Sequence, residues 1–455
     1  MNPFIFVGIL LLFISTYFLI GIFAARNVRN TLDYFLAGRQ AGLWGITATL
    51  IGTQLGSGLL LGTAEKSYEY GFFGIGYTLS IAIGFLLLSS GIAAQLQTLN
   101  IKTTAELFLV RYHSPLLHKC ASLFSIITLS GILMGQMVAS KALLAGILAG
   151  STIPLLLLFI IVWSSIIIYT FAGGLNAVIR ADTFRVVFII VIYGILFLYL
   201  LWSQPSAWFT TQALTTQKTL FTLDTAGINN FVGILIMPAL FSLIEQDLAQ
   251  RFFAARTAKI AAAAAVLAGL FMLLFAAVPV FLGMLAKVAA IDIGATNPLI
   301  ATLRYYSNDV FFSLGVCGVI AAIASTSDSL LCAISSNIAQ DFEFSFFNTS
   351  KLRTAQLVSA LVGISAASIA YVIHTDIIDI LIDSYEISVS ALLVPLLFSY
   401  FDRTPKKTAA YFAVAGGLIS FLLFKLYPAP YASIITLVIS LIGYLAGAQK
   451  HTCSL

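Results

Sequence analysis

Gly52-Thr53-Gln54-Leu55-Gly56-Ser57-Gly58 lies in the middle of an apolar run that extends over about 41–63. Each glycine weakens a helix by about 1 kcal/mol relative to alanine, yet the flanks on both sides are long and apolar. The pattern predicts a helix interrupted at its centre. A second interruption stands five segments later. There Pro238 falls within the run 229–249, which ends in the polar stretch Glu245-Gln246-Asp247. Broken helices at matching places in two halves of a chain point to inverted repeats around a central binding site, the plan of many secondary transporters. The competing reading is that glycines merely let helices pack closely. That reading serves for Gly56 and Gly58 taken alone, and less well for the two interruptions together.

The composition around these runs names the solvent. Of 455 residues, 60% are hydrophobic and only 9% charged, with a mean hydropathy of +1.02. A water-soluble domain carries about 25% charged residues, so this chain could not cover its surface in water. A helix crosses the hydrocarbon core with roughly 20 apolar residues. Thirteen segments fit, at about 4–24, 41–63, 71–95, 119–150, 153–172, 182–202, 229–249, 259–287, 310–338, 354–374, 379–400, 408–426 and 428–447. Barrel strands would alternate apolar and polar positions over about ten residues. These runs are continuous, and a helix satisfies its own backbone within lipid. The chain reads as an all-α membrane protein, a single polytopic domain over 1–455 with short tails.

No Lys or Arg precedes the first run, Phe4 to Ala24, and Arg26 and Arg29 follow it. It is expected to be a retained helix with its N-terminus outside, not a removed signal peptide. The alternate loops test this orientation. Those expected to be cytoplasmic hold seventeen cations: Arg26, Arg29, Arg39, Lys102, Arg111, Lys119, Arg180, Arg185, Arg251, Arg256, Lys259, Lys351, Arg353, Arg403, Lys406, Lys407 and Lys450. The opposite loops hold five, Lys66, Lys218, Lys287, Arg304 and Lys425, and Lys141 within a span completes the 23. That is a strong positive-inside bias, with the C-terminus inside. It also explains the net charge of +5 without a nucleic-acid partner. The loops near 203–228 and 288–309 become extracellular. Cys120, Cys317, Cys332 and Cys453 show no metal-ligand spacing and read as small buried apolar residues.

Several stretches are similar to the sodium/solute symporter family, which includes transporters of proline, sugars, pantothenate and sialic acid. Asp33-Tyr34-Phe35-Leu36-Ala37-Gly38-Arg39 resembles the family's entry to its first broken helix. Gly173-Gly174-Leu175-Asn176-Ala177-Val178 with Asp182 resembles a second signature, departing from it with Ala181 for a threonine and Arg185 for a glutamine. Glu245-Gln246 with Gln250-Arg251 resembles the end of the second broken helix. Ala321-Ala322-Ile323-Ala324-Ser325-Thr326-Ser327-Asp328-Ser329, followed by Ser335-Ser336 and Asp341, is the longest match. The resemblance implies a leucine-transporter-type fold with a 5+5 inverted-repeat core. The first helix and loop would occupy 1–40, the repeats 41–202 and 229–401, and two peripheral helices with a short tail 402–455.

Sodium is a hard cation that prefers oxygen ligands. Ser325, Asp328 and Ser329 fall at i, i+3 and i+4 and share one helical face. The resemblance implies a first sodium site built from the carbonyls of Gly52, Leu55 and Ala322 with the hydroxyls of Ser325 and Thr326. It implies a second at Asp182, Ser325, Asp328 and Ser329, since two nearby carboxylates repel unless a cation or a proton stands between them. Against both stands the habit of Ser and Thr of back-bonding to carbonyls of their own helix, and an Asp328 hydrogen-bonded to its helix neighbours. One charge moved through 100 mV yields about 2.3 kcal/mol, and a tenfold gradient adds about 1.4 kcal/mol. One ion could then drive roughly 500-fold accumulation, and two the square of that.

By the family pattern the solute sits at the midplane, facing Gln54, Gly56, Ser57, Leu59, Gln136, Phe241, Ser242, Glu245 and Tyr385. Gln54 and Gln136 carry the strongest argument, because uncharged amides within lipid need partners; helix–helix hydrogen bonds would serve them equally. Glu245 is expected to gate or to stabilise. Leu59-Leu60-Leu61 offers few hydrogen-bonding groups, which favours an amino acid or organic acid over a sugar, with an anionic head at a half-helix N-terminus. Sodium is the expected coupling ion. The partners are the small organic solute and membrane lipid, in a cell (inner or plasma) membrane, with no obligate protein partner. Proton coupling through Asp182 and Asp328 is the nearest alternative. An intramembrane enzyme would need a nucleophile with a base, and His113, His118, His374 and His451 sit in loops or at span ends with no HExxH or GxSxG. A channel or sensor is the remaining option, though a sensor usually carries a signalling domain.

Overall fold

The second helix does break where its glycines cluster. In the computed structural model, α1 (Pro3–Ala25) and α2 (Thr31–Leu36) lead into α3 (Leu43–Gln54). The helix stops at Leu55 and Gly56 and resumes through a π turn, Gly58–Gly62, into α4 (Thr63–Tyr70). Gly56 is required by close approach: a Cβ there would lie 2.7 Å from Thr326 Oγ1 and 3.0 Å from the Gln136 amide. The model describes residues 3–204, 225–294, 296–342, 350–372 and 377–449. Lys218 with most of its loop, His374, Lys450, His451 and Cys453 lie outside the described residues.

The chain continues through α5 (Gly76–Leu87), α6 (Ala93–Thr98), α7 (Glu106–Tyr112), α8 (Pro115–Leu148) and α9 (Leu155–Ser203). The second broken helix is α10 (Thr225–Ser242) and α11 (Gln246–Ala254), parted at Glu245, whose backbone is extended at φ −66° and ψ 121°. Then come α12 (Ala258–Phe275), α13 (Ala277–Val288), α14 (Pro298–Tyr306), α15 (Asp309–Ser336) and α16 (Lys351–Val372). The last helices are α17 (Ile377–Phe401), α18 (Lys407–Leu426) and α19 (Ala432–Gln449). Among the described residues there is no β-strand, only an isolated bridge between Ala41 and Ala255.

Ten helical runs are long and apolar enough to cross a membrane among the described residues. Part of the difference from thirteen expected segments has a physical origin. α3 has 12 residues and spans about 18 Å at 1.5 Å per residue, too short for a crossing by itself. α10 and α11 are likewise two pieces. α9 covers 49 residues, but it is two helices joined across a kink. The two helices correspond to the expected segments 153–172 and 182–202 and are parted at Gly174, whose φ of 50° and ψ of −143° are not helical, so the ten runs count them as one. A Cβ at Gly174 would lie 2.3 Å from the Tyr34 carbonyl oxygen, so only glycine lets α2 seat against this bend.

Three expectations are corrected. The stretch 288–309 holds α14, capped by Asn297 accepting from the Leu299 N–H at 3.0 Å, with Pro298 in its first turn. Asn297-Pro298 is the cap-then-proline signal of a helix start. Arg185 and Arg251, counted among the loop cations, are fully buried in α9 and α11. Cys120 is only partly buried, unlike Cys317 and Cys332.

α15 forms the axis of the bundle, packed against α1, α3, α8 and α9. α18 and α19 pack on each other and on α17, at the margin of the bundle. Large apolar side chains face outward along α1, α9, α18 and α19, Leu12 at 70%, Trp202 at 89% and Leu426 at 73% exposure among them. Such a surface fits lipid tails and not water.

Candidate functional site

α15 brings its hydroxyl-rich turn against the break between α3 and α4. Thr326 Oγ1 lies 3.4 Å from the Gly52 carbonyl oxygen, 2.8 Å from that of Thr53 and 3.3 Å from that of Ala322. Ser325 donates to Asp182 Oδ1 on α9, and Thr49 on α3 donates to Asp182 Oδ2 at 2.6 Å. A Cβ on Gly52 would sit 2.5 Å from Ser325 Oγ and 3.3 Å from Asp182 Cγ. Gly52, Ala322, Ser325 and Thr326, expected as a first ion site, therefore converge with Asp182 into one oxygen-rich cluster without exposed side chains. Leu55 caps α3 and is itself fully buried one turn from this cluster. The donors are all hard oxygens, the chemistry a sodium ion prefers.

The expected second ion site looks different. Arg185 on α9 extends its guanidinium between Asp182 and Asp328, with Nη1 2.6 Å from Asp328 Oδ2 and 3.4 Å from Asp182 Oδ1. Its Nη2 donates to the Tyr169 hydroxyl at 2.5 Å, and Tyr169 donates in turn to Asp328. The guanidinium carbon stacks 4.4 Å from the Tyr17 ring centroid. Ser329 is also engaged: it donates to the Ser325 carbonyl at 2.7 Å and accepts from Arg251 Nη2. Arg251 further reaches the Asp247 carbonyl at 2.7 Å and Thr49 Oγ1 at 3.3 Å. The sequence flagged Arg185 as a departure from a pattern and counted it among the loop cations. Its role as the central cation of the cluster was missed.

Most of the expected solute-facing residues meet around the two helix breaks. Gln54 donates from Nε2 to Glu245 Oε2 at 2.8 Å, linking one break to the other. Gln136 on α8 accepts from the Ser57 N–H at 2.8 Å. That N–H starts the second half of the broken helix, and the Ser57 hydroxyl beside it is buried without a hydrogen-bond partner among the described residues. Phe241 and Tyr385 stack with ring centroids 4.7 Å apart, and Tyr385 shares a 2.9 Å hydrogen bond with Tyr77. Ser242 is not brought to this group. Its hydroxyl back-bonds to the Pro238 carbonyl at 2.8 Å and faces Gly84 on α5. Leu59 lies in the π turn, buried with Leu60 and Leu61.

The two ends of this region differ in openness. A cavity of about 570 Å³ lies beyond Leu61, walled by Glu65, Tyr68, Leu143, Lys287 and Asn297. On the other side, between Phe241, Glu245, Ser125 and Leu392, the free space is about 10 Å³. That side is pinned by Gln246, whose Oε1 accepts from the Thr104 N–H and hydroxyl at 2.6 and 2.9 Å. Gln250 adds a bond to the Phe35 carbonyl at 2.8 Å.

The family model for the sodium:solute symporter family matches residues 34–419, which includes every residue of this cluster except Tyr17. The chain belongs to the sodium:solute symporter family. Members of the family are transporters and not enzymes, as the sequence suggested, and the chain is a multi-pass membrane protein. Sodium/glucose cotransporter 4 of Mus musculus is 29% identical over 197 residues, 42% of this chain and 27% of that protein. The Homo sapiens protein of the same name is 29% identical over 197 residues, 42% of this chain and 28% of its own length. The match thus spans about a quarter of these relatives. A substrate-bound, outward-open Na+-coupled sialic acid symporter superposes with a TM-score of 0.79 over 98% of this chain and 97% of that one, at 19% identity. A nucleobase-cation-symport-1 family transporter, closed around bromovinylhydantoin, gives 0.65 over 91% and 93% at 15% identity. Both likenesses establish the transporter fold expected for this family.

Proposed function

We propose that this symporter moves a small organic solute across the membrane together with sodium by alternating access. The observation that carries the reading is the meeting of the Ser325 and Thr326 hydroxyls with the Gly52 carbonyl and the Asp182 carboxylate. A helix break at that point frees carbonyls, and hydroxyls from the facing helix complete an oxygen cage of the kind a hard cation needs. Gly52, Leu55, Ala322, Ser325 and Thr326 would hold the ion. The solute would lie beside it, against Gln54, Ser57, Gln136, Phe241 and Tyr385. The repeats over 41–202 and 229–401, thirteen crossings and an N-out, C-in orientation belong to the same reading. In that orientation the 570 Å³ cavity opens outward while the inner side is sealed.

The polar groups around the solute position are the Gln54 and Gln136 amides, the Glu245 carboxylate and the hydroxyls of Ser57, Tyr77 and Tyr385. The nearby guanidiniums of Arg185 and Arg251 are engaged with Asp328 and Ser329. This arrangement favours a solute with a hydrogen-bond-donating or cationic head, hence an amino acid over an organic acid. Orphaned buried polar groups such as the Ser57 hydroxyl gain from a solute that bonds them.

The test is uptake into proteoliposomes under an inward sodium gradient, with amino acids, organic acids, sugars and vitamins supplied in turn. Uptake that requires sodium and collapses in Ser325→Ala supports the reading. Uptake that ignores sodium and follows a proton gradient would sink it and transfer the coupling to Asp182 and Asp328.

A further inference from the structure

We propose that Arg185 is a tethered cation that takes the place of a second sodium, so that this symporter binds one sodium per cycle. The proposal rests on the sodium-coupled reading above and adds the ion count to it.

Asp182 and Asp328 are both fully buried, and so is Arg185. Two buried carboxylates this close need a cation between them, and here the cation is part of the wall. Nη1 reaches both carboxylates, at 2.6 and 3.4 Å. Tyr169 bonds both Nη2 and Asp328, and the guanidinium carbon lies over the Tyr17 ring, so the group is held on more than one side. Arginine does not deprotonate in proteins, and its planar fork suits two carboxylates at once. A dissolved sodium would have to enter where Nη1 now lies. Ser329, the remaining expected donor, is already bonded to Arg251.

The charge count agrees. Arg251 and Asp247, both buried on α11, offset each other, and the two carboxylates with the Arg185 guanidinium leave one formal negative charge. That charge falls on the Asp182 side, which Ser325 and Thr49 link to the first ion site. One sodium beside Ser325 and Thr326 neutralises the cluster; a second would leave it positive in a low-dielectric interior, which is unfavourable.

The test is saturation binding of radioactive sodium to the purified full-length chain, which needs no knowledge of the solute. The parent is expected to hold about one sodium per chain with a Hill coefficient of about 1. Arg185→Lys keeps a fixed positive charge and is expected to hold the same number. Arg185→Gln removes it and is expected to hold about two. A parent that holds two sodium ions overturns the proposal and leaves sodium coupling intact. So does a monodisperse Arg185→Gln protein that still holds one. A parent with no saturable sodium binding overturns both this proposal and the proposed function.

Discussion

Gln54 and Glu245 stand at the breaks of two different helices and are joined by a single hydrogen bond of 2.8 Å. The contact ties α3 to the junction of α10 and α11, and it crosses the place where the solute is expected. Removing the amide leaves a buried carboxylate without that donor, a loss of about 1–3 kcal/mol. Gln54→Ala is therefore expected to weaken apparent solute affinity about tenfold, measured from the concentration dependence of uptake. An unchanged half-saturation would separate this pair from the solute site.

Thr326 contributes one hydroxyl among several oxygens near the Gly52 and Ala322 carbonyls. Thr326→Val keeps the shape and removes the oxygen. The sodium concentration for half-maximal uptake is expected to rise about tenfold, the effect of roughly 1.4 kcal/mol, while uptake at saturating sodium stays close to the parent. Solute affinity that falls with no change in sodium dependence would assign Thr326 to the solute instead.

Gly56 and Gly194 offer a matched pair. A methyl at Gly56 meets Thr326 Oγ1 at 2.7 Å, whereas one at Gly194 on α9 meets nothing within 4 Å. Gly56→Ala forces the broken helix away from α15, and such overpacking costs about 1–3 kcal/mol. Uptake is expected to fall about tenfold or more in Gly56→Ala and to stay level in Gly194→Ala, with both proteins equally abundant in the membrane. Equal activity of the two would mean that the break tolerates displacement.

The orientation is open to chemical labelling. In a background without Cys120, Cys317, Cys332 and Cys453, a membrane-impermeant thiol reagent added outside cells is expected to modify Thr296→Cys in the larger cavity and to spare Ser125→Cys on the sealed side. The reverse pattern would invert the chain in the membrane.

Local signals account for what the sequence revealed. Hydropathy located the segments, and the glycines of 52–58 and the polar residues at 245–247 located both breaks, because a helix fails where its own residues stop supporting it. The family resemblance supplied the pairing of Gly52 with Ala322, Ser325 and Thr326. What stayed hidden depended on contacts across the fold. Arg185 and Asp328 are 143 positions apart, so nothing local distinguishes a loop arginine from the hub of a buried cluster. Ser242 was misplaced for a related reason: beyond Pro238 the rotation of a helix is set by what it packs on, here Gly84. The kink that parts the two halves of α9 turned on the backbone of one glycine, Gly174, whose φ and ψ leave the helical region.

The guanidinium of Arg185 cannot be diluted. A cation drawn from solution leaves its site as the surroundings become dilute, and the helices it joined are then free to part. The bond from Arg185 to Asp328 keeps α9 and α15 joined whatever the medium contains. Only the contact through Asp182 and the Ser325–Thr326 turn then answers to the sodium outside.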